Sequence, residues 1–220
     1  MYFNRRGRSA MLSIAVAKGR LFSSFLTILR EANVLKCDSL DVDSRKLVIE
    51  CPEGIRFVLA KPADVPTFVE YGAADLGVVG KDTLIEANKD VAELVDLNYG
   101  RCKMVVAVPM SLGINDIREL DFNSRVASKY PRIATEFFNR HGIQVEVIPL
   151  NGSIELGPLV GLSDAIVDIT ETGRTLIENG LQPITTIMES TSRLIANRVS
   201  YKIKTEQINS LVQKIEEAIK

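Results

Sequence analysis

The chain has 220 residues, enough for one generous core or two small ones, and its 46% hydrophobic and 25% charged content excludes a disordered or fibrous protein. With 27 basic against 28 acidic residues the net charge is −1, so no global field favours nucleic acid or an anionic membrane, and any anion site has to be local. No run of 18 apolar residues occurs and the N-terminus lacks a signal-peptide core, so neither a membrane span nor export is expected, and the cytoplasm is the expected location. Cys37, Cys51 and Cys102 are odd in number and lack a CxxC spacing, which argues against a disulfide framework or a zinc site. The single histidine, His141, stands before a glycine and fits a helix C-terminus better than acid/base or metal chemistry.

In chain order, Met1 to Ala10 is polar, basic and without periodicity, and is expected to be a mobile tail. Leu12 to Ala17 reads as a strand, and Leu21 to Asn33 as an amphipathic helix with apolar residues at 21, 22, 25, 26, 28 and 29. Between them Lys18-Gly19-Arg20 puts two cations around a glycine at a helix start, where an anion would be held; a solvated turn is the bland alternative. Leu47 to Cys51 and Arg56 to Ala60 form an expected hairpin about Pro52-Glu53-Gly54, preceded by Arg45-Lys46 and followed by Lys61. Pro62 to Tyr71 reads as a helix, Asp75 to Gly80 as a buried strand, and Lys81-Asp82 opens another helix. Lys18, Lys61 and Lys81 thus follow strand ends, as expected if those ends face one anion site, though solubilising lysines would look the same.

Further on, Lys103 to Pro109, Arg125 to Lys129 and Gln144 to Leu150 read as strands, with a weakly structured stretch from Met110 to Asn123 and a helix from Pro131 to His141. Ser153 is the expected N-cap of a short helix reaching Gly161. Ile184 to Glu189 extends, Ser190 to Lys202 reads as strand plus connection, and Glu206 to Lys220 is a terminal helix with apolar positions 208, 211, 212, 215 and 219. Alternating strands and helices give an α/β chain with mostly parallel sheets. Weak stretches at 96–103 and 185–193 read as crossings between two lobes, residues 11–103 plus 190–220 and residues 104–189, with ligands expected where two such lobes meet.

The stretch that carries most chemistry is Asp164 to Thr175, reading DAIVDITETGRT. A short β-branched strand, Ala165 to Ile169, runs into Thr170-Glu171-Thr172-Gly173-Arg174-Thr175 and then a short helix ended by Gly180. Orphan N–H groups at the helix start, the Thr172 and Thr175 hydroxyls and the Arg174 guanidinium would grip a phosphate monoester; an ordinary turn with threonine caps is the alternative. Asp164 and Asp168, four residues apart, fall on one face of the strand, and Asp168 at its end is placed to accept hydrogen bonds from sugar hydroxyls.

Ala15 to Leu21 (AVAKGRL), Asp75 to Asp82 (DLGVVGKD), Gly152 to Pro158 (GSIELGP), Gly161 to Asp168, Glu171 to Leu176 and Ser192 to Asn197 together resemble, in order and spacing, the ATP phosphoribosyltransferase catalytic subunit. The resemblance covers nearly all of residues 11 to 205, and the chain is similar to the short form, which lacks a C-terminal histidine-sensing domain. It implies a two-lobed fold of the type II periplasmic-binding-protein kind. The implied activity is the first step of histidine biosynthesis, in which N1 of the ATP adenine displaces pyrophosphate from C1 of phosphoribosyl pyrophosphate. It also implies Mg²⁺ carried mainly by the pyrophosphate, with no dedicated protein cage. A homodimer and a hetero-octamer with a regulatory subunit resembling histidyl-tRNA synthetase are implied as well. On that basis Arg20 and Arg45 are the candidates for stabilising the leaving pyrophosphate, since guanidinium forks match phosphate oxygens and stay charged. Lys18, Gly19, Lys61 and Lys81 are candidates for the polyphosphate, Glu171, Thr172, Gly173, Arg174 and Thr175 for the 5′-phosphate, and Asp168 for the ribose. A two-lobed binder without chemistry is the rival from another class, and it would predict an export signal or a fused DNA-binding segment.

Overall fold

The computed structural model describes residues 11–36 and 46–220. The expectations for Met1 to Ala10, for Cys37 and for Arg45 lie outside the described residues. In chain order the elements are β1 (Leu12–Ala17), α1 (Arg20–Glu31), β2 (Val48–Cys51), β3 (Ile55–Ala60), α2 (Val65–Glu70), β4 (Leu76–Gly80), α3 (Lys81–Ala87) and β5 (Ala92–Asp96). They continue as β6 (Cys102–Pro109), β7 (Ser124–Ser128), α4 (Pro131–Arg140), β8 (Val145–Pro149), α5 (Leu156–Leu159), β9 (Ala165–Thr170), α6 (Arg174–Glu178) and β10 (Leu181–Ser190). The last are β11 (Ser192–Ala196), α7 (Arg198–Ile203) and α8 (Thr205–Ala218). Two compact units result, one holding the chain up to Gly100 together with Thr191–Lys220, the other Arg101–Ser190.

The first unit is a sheet of order β2-β3-β1-β4-β11-β5. Period-two alternation decides what each face buries. Ile14, Val16, Phe57, Leu76, Val78 and Leu194 join Phe22, Phe25 and Leu26 of α1 and Ile208, Leu211 and Ile215 of α8 in one core. Ala15, Val79 and Ile195 pack with Val65 and Val69 of α2 in a second. The apolar stripe read from Leu21 to Leu29 is the stripe that α1 buries, and Phe22 meets Phe57 edge-on with ring centroids 5.1 Å apart. Each such fully buried side chain contributes about 1.5–3 kcal/mol of transfer free energy.

The second unit is a sheet of order β10-β6-β9-β7-β8. Val105, Ala107, Ala127 and Ile166 pack with Ile154, Leu176 and Leu181 in an apolar cluster on one of its faces. His141 is the C-cap of α4, and its Nδ1 lies 2.8 Å from the Phe137 carbonyl oxygen, a structural role.

Several expectations need correction. Parallel pairing joins β3-β1-β4 and β9-β7-β8, but β2, β5, β11, β6 and β10 pair antiparallel, so both sheets are mixed rather than mostly parallel. Met110 to Asn123 contains two 3-10 turns, the second held by a capping box between Asp116 and Glu119. Ser153 caps nothing: α5 starts three residues later with Glu155 at its N-cap, and Ser153 takes a left-handed φ of 50°. Residues 198–203, read as a connection, form α7, because the Asn197 side chain accepts from the amides of Val199 and Ser200 and so nucleates a turn. Asp164 precedes β9 and accepts from the Arg125 amide at 2.8 Å, which ties it to the amino end of β7 and leaves Asp168 alone near the other end.

Candidate active site

In the first unit, register gathers the expected cations. Ala17 pairs with Ala60, and Val16 with Val78, so the residues after β1, β3 and β4 emerge side by side from one edge of the sheet. That edge carries Lys18, Gly19 and Arg20, all exposed, together with exposed Lys61 and half-buried Lys81. The carboxyl edge of parallel strands is where α/β proteins hold ligands, because helix starts and loops converge there. Gly19, the N-cap of α1, has φ 92° and ψ −146°, a conformation close to one that only glycine adopts readily. A Cβ at Gly19 would meet no atom within 4 Å, so the backbone here faces open space. The N-cap glycine gives α1 no side-chain cap, and Arg20 stands at its first position, where the partial positive charge of a helix start favours an anion.

Lys81 is more committed. Its ammonium pairs with Glu93, which also takes the Arg193 guanidinium at 2.8 Å, while Arg193 pairs with Asp96 as well. This network ties the end of β4 to β5 and β11, so Lys81 stands at the expected edge with its charge already shared.

In the second unit the loop after β9 is exposed at Glu171, Thr172, Arg174 and Thr175. Thr170 Oγ1 accepts from the Gly173 amide at 2.7 Å, and Gly173 adopts φ 76° with no atom within 4 Å of a would-be Cβ. The loop is thus folded back on itself by a hydroxyl, with its outer side open. Arg174 does not reach over that opening: its Nε donates to Glu178 at 2.7 Å along the exposed helix surface. An exposed i,i+4 pair of this kind contributes only about 0.3–0.5 kcal/mol, so an incoming dianion could redirect it.

Asp168 is half-buried, and its Oδ1 accepts from the Ile169 amide at 2.8 Å. Burial pushes its carboxyl up to about 6, with the Glu155 carboxylate adding to the rise and Lys129 opposing it. Lys129 and Glu155 were not singled out as candidates from the sequence, yet both lie close enough to Asp168 to act on its carboxyl. Glu155 lies within the GSIELGP stretch but without a sign of its role, and Lys129 has no pattern of its own; the start of α5 and the register of β7 on β9 bring them to Asp168.

A family model described as HisG: ATP phosphoribosyltransferase matches residues 61–217. The chain belongs to the ATP phosphoribosyltransferase family. It is 50% identical over 209 residues to the ATP phosphoribosyltransferase of Halothermothrix orenii, covering 94% of this chain and 93% of that one. The Geobacillus sp. enzyme of the same name is 50% identical over 210 residues, covering 95% and 99%. Among solved structures, a chain of the ATP phosphoribosyl transferase (HisG:HisZ) complex from Thermotoga maritima superposes with TM-score 0.80 at 35% identity, covering 95% of this chain and 98% of that one. The periplasmic aliphatic sulphonate binding protein SsuA from Escherichia coli superposes with TM-score 0.63 at 15% identity over 96% of this chain and 68% of that one. That distant likeness concerns the fold alone, which is of the type II periplasmic-binding-protein kind. Lys61, Lys81 and the loop after β9 fall inside the residues matched by the family model, whereas Lys18, Gly19 and Arg20 precede them.

Proposed function

We propose that this chain transfers the phosphoribosyl group of phosphoribosyl pyrophosphate to N1 of the adenine of ATP, the opening reaction of histidine biosynthesis. The observation that carries the reading is the family match across residues 61–217, joined to relatives at 50% identity over nearly the whole chain. In the step itself the N1 lone pair forms a bond to C1 while the C1–O bond to pyrophosphate breaks, and the electron pair leaves with diphosphate. No covalent intermediate on the protein is needed, so orientation and charge stabilisation are what the residues supply.

The exposed loop of Glu171, Thr172, Gly173, Arg174 and Thr175 is the proposed seat of the 5′-phosphate, with Asp168 accepting from ribose hydroxyls. Lys18, Gly19 and Lys61 are proposed for polyphosphate, with Lys81 in support. Arg20 is proposed to stabilise the departing pyrophosphate together with Arg45. Among the described residues no three His, Cys, Asp or Glu side chains are grouped to hold a metal ion. The two carboxylates at Asp168 and Glu155, opposed by Lys129, suit hydrogen bonding to substrate better than caging a cation. Mg²⁺ is proposed to arrive with the substrate, on the pyrophosphate, where it would offset charge on the leaving group.

The Thermotoga maritima relative was solved as a HisG:HisZ complex, and 98% of its matched chain is covered here. This supports pairing with a second, regulatory subunit; that the partner resembles histidyl-tRNA synthetase, and that the chain forms homodimers within a hetero-octamer, belong to the same proposal. Among the described residues no helix is long and apolar enough to cross a membrane; a cytoplasmic location, without nucleic-acid or membrane partners, is part of the same reading. Incubating the purified chain with ATP, phosphoribosyl pyrophosphate and Mg²⁺ should raise the absorbance of phosphoribosyl-ATP. No product, with or without the regulatory partner, overturns the proposal.

A further inference from the structure

β7 and β9 run parallel with Ala127 opposite Ile166 and Ser128 opposite Val167. Ala127 and Ile166 belong to the apolar cluster that includes Val105, Ile154 and Leu176. Residues two apart on a strand share a face, so Lys129 and Asp168 continue that face beyond the cluster, level with each other at the carboxyl edge. The position of Lys129 is fixed by its neighbour. Fully buried Ser128 donates its hydroxyl to the Val167 carbonyl at 2.7 Å and accepts from the Tyr130 amide at 2.8 Å. One side chain therefore clamps β7 to β9 and pins the backbone on the far side of Lys129, while the Lys129 side chain stays exposed.

The loop of residues 171–175 leaves β9 directly, and Lys129 stands one strand away, about 4.8 Å across the sheet. On the other side of β9, Lys103 of β6 stands opposite Thr170 but is paired with Glu189 at 3.5 Å, so β7 is the side on which a cation is left for the C1 substituent of a sugar with its 5′-phosphate in that loop and its hydroxyls on Asp168. From this placement, and resting on the function proposed above, we propose that Lys129 is a further substrate contact that takes an anionic oxygen of the C1 pyrophosphate, and that Ser128 is its positioning residue. An ammonium at that point meets a charge that grows as the C1–O bond breaks, so its contact strengthens in the transition state.

Equilibrium binding to the purified chain tests this with phosphoribosyl pyrophosphate and ribose 5-phosphate as paired probes. Lys129→Ala should weaken phosphoribosyl pyrophosphate binding roughly tenfold or more, the loss of one charge-assisted contact, and leave ribose 5-phosphate binding unchanged; Lys129→Arg should keep most of the affinity. Equal loss for both probes would mean that Lys129 acts only by screening Asp168, and no loss for either would remove it from the site; each result overturns the proposal. A wild-type chain that binds neither probe defeats the parent reading instead. Ser128→Ala should raise KM for phosphoribosyl pyrophosphate while KM for ATP stays put, and equal shifts in both would reduce Ser128 to a structural role.

Discussion

Arg20 occupies the first position of an uncapped helix and is exposed, so Arg20→Ala removes a guanidinium without opening a core. Its expected effect is a fall in kcat of about 10²-fold, by analogy with loss of one oxyanion donor, at an unchanged unfolding midpoint; an unchanged kcat would take Arg20 out of the mechanism. Asp168 makes a prediction in pH. Its carboxyl titrates near 6 in the fold, above the roughly 3.9 of an unfolded aspartate, so the folded state holds the proton more tightly. Stability should therefore fall as pH rises from about 4 to about 6 and then level off. Asp168→Asn should gain on the wild type above that window and match it below, as read from denaturant midpoints. For ligand binding the sign reverses, because only the ionised carboxylate accepts from two sugar hydroxyls. Comparing phosphoribosyl pyrophosphate affinity of wild type and Asp168→Asn across pH 5 to 8 cancels the substrate's own phosphate titration. The advantage of the wild type should shrink on the acid side.

At the scale of elements, β4 and α2 approach so closely that only glycine fits between them. A Cβ on Gly77 would stand 2.7 Å from Val69 Cγ2 and 2.9 Å from Val65 Cγ1. Gly77→Ala should cost on the order of 1–3 kcal/mol as overpacking, measured by chemical denaturation, and a neutral result would mean that α2 can slide outward. The strands that build the site were legible because β1, β4 and β9 are short apolar runs ending at charged or hydroxyl-rich turns. β5 was not, since AELVD carries two carboxylates in five residues and extends only because β11 pairs with it. α7 was hidden because its six residues depend on one asparagine cap rather than on an apolar stripe. For the candidate site the same division holds. Lys18, Arg20, Lys61 and the threonine loop announce themselves by following strands, whereas Lys129 acquires meaning only from the register that sets it level with Asp168. Arg174 was legible as a cation but not as the partner of Glu178, an attachment that one turn of helix creates.

At the scale of the whole molecule, residues far apart in sequence close the first unit. Lys204, between α7 and α8, donates to the Met11 carbonyl at 2.9 Å and to Asp75 at 2.8 Å, and Asp75 also accepts from the Ser13 amide and hydroxyl. Burial pushes the Asp75 carboxyl up, but the Lys204 and Ser13 bonds outweigh it and hold the group below its ordinary value. A lowered folded pKa stabilises above the ordinary carboxylate range, and that contribution is lost as pH falls through the lowered value. Wild type should thus lose stability toward pH 3 more steeply than Asp75→Asn, in acid titrations of the denaturant midpoint. Lys204→Ala, which strands a carboxylate that is mostly out of water, should cost on the order of 3 kcal/mol.

The place of β11 in the first sheet has a consequence for the order of events during synthesis. It lies between β4 and β5, yet it is translated only after the entire second unit. A nascent chain emerging from the ribosome would therefore complete residues 101–190 while β4 and β5 still lacked the strand that joins them, their edges bare. Closure waits for a segment nearly a hundred residues downstream, a long-range pairing of the kind that folds slowly. A chain truncated after Ser190 should consequently be cut by protease across β4 and β5 while the second unit resists, and the N-terminal half should depend on holdase chaperones until its last helices arrive.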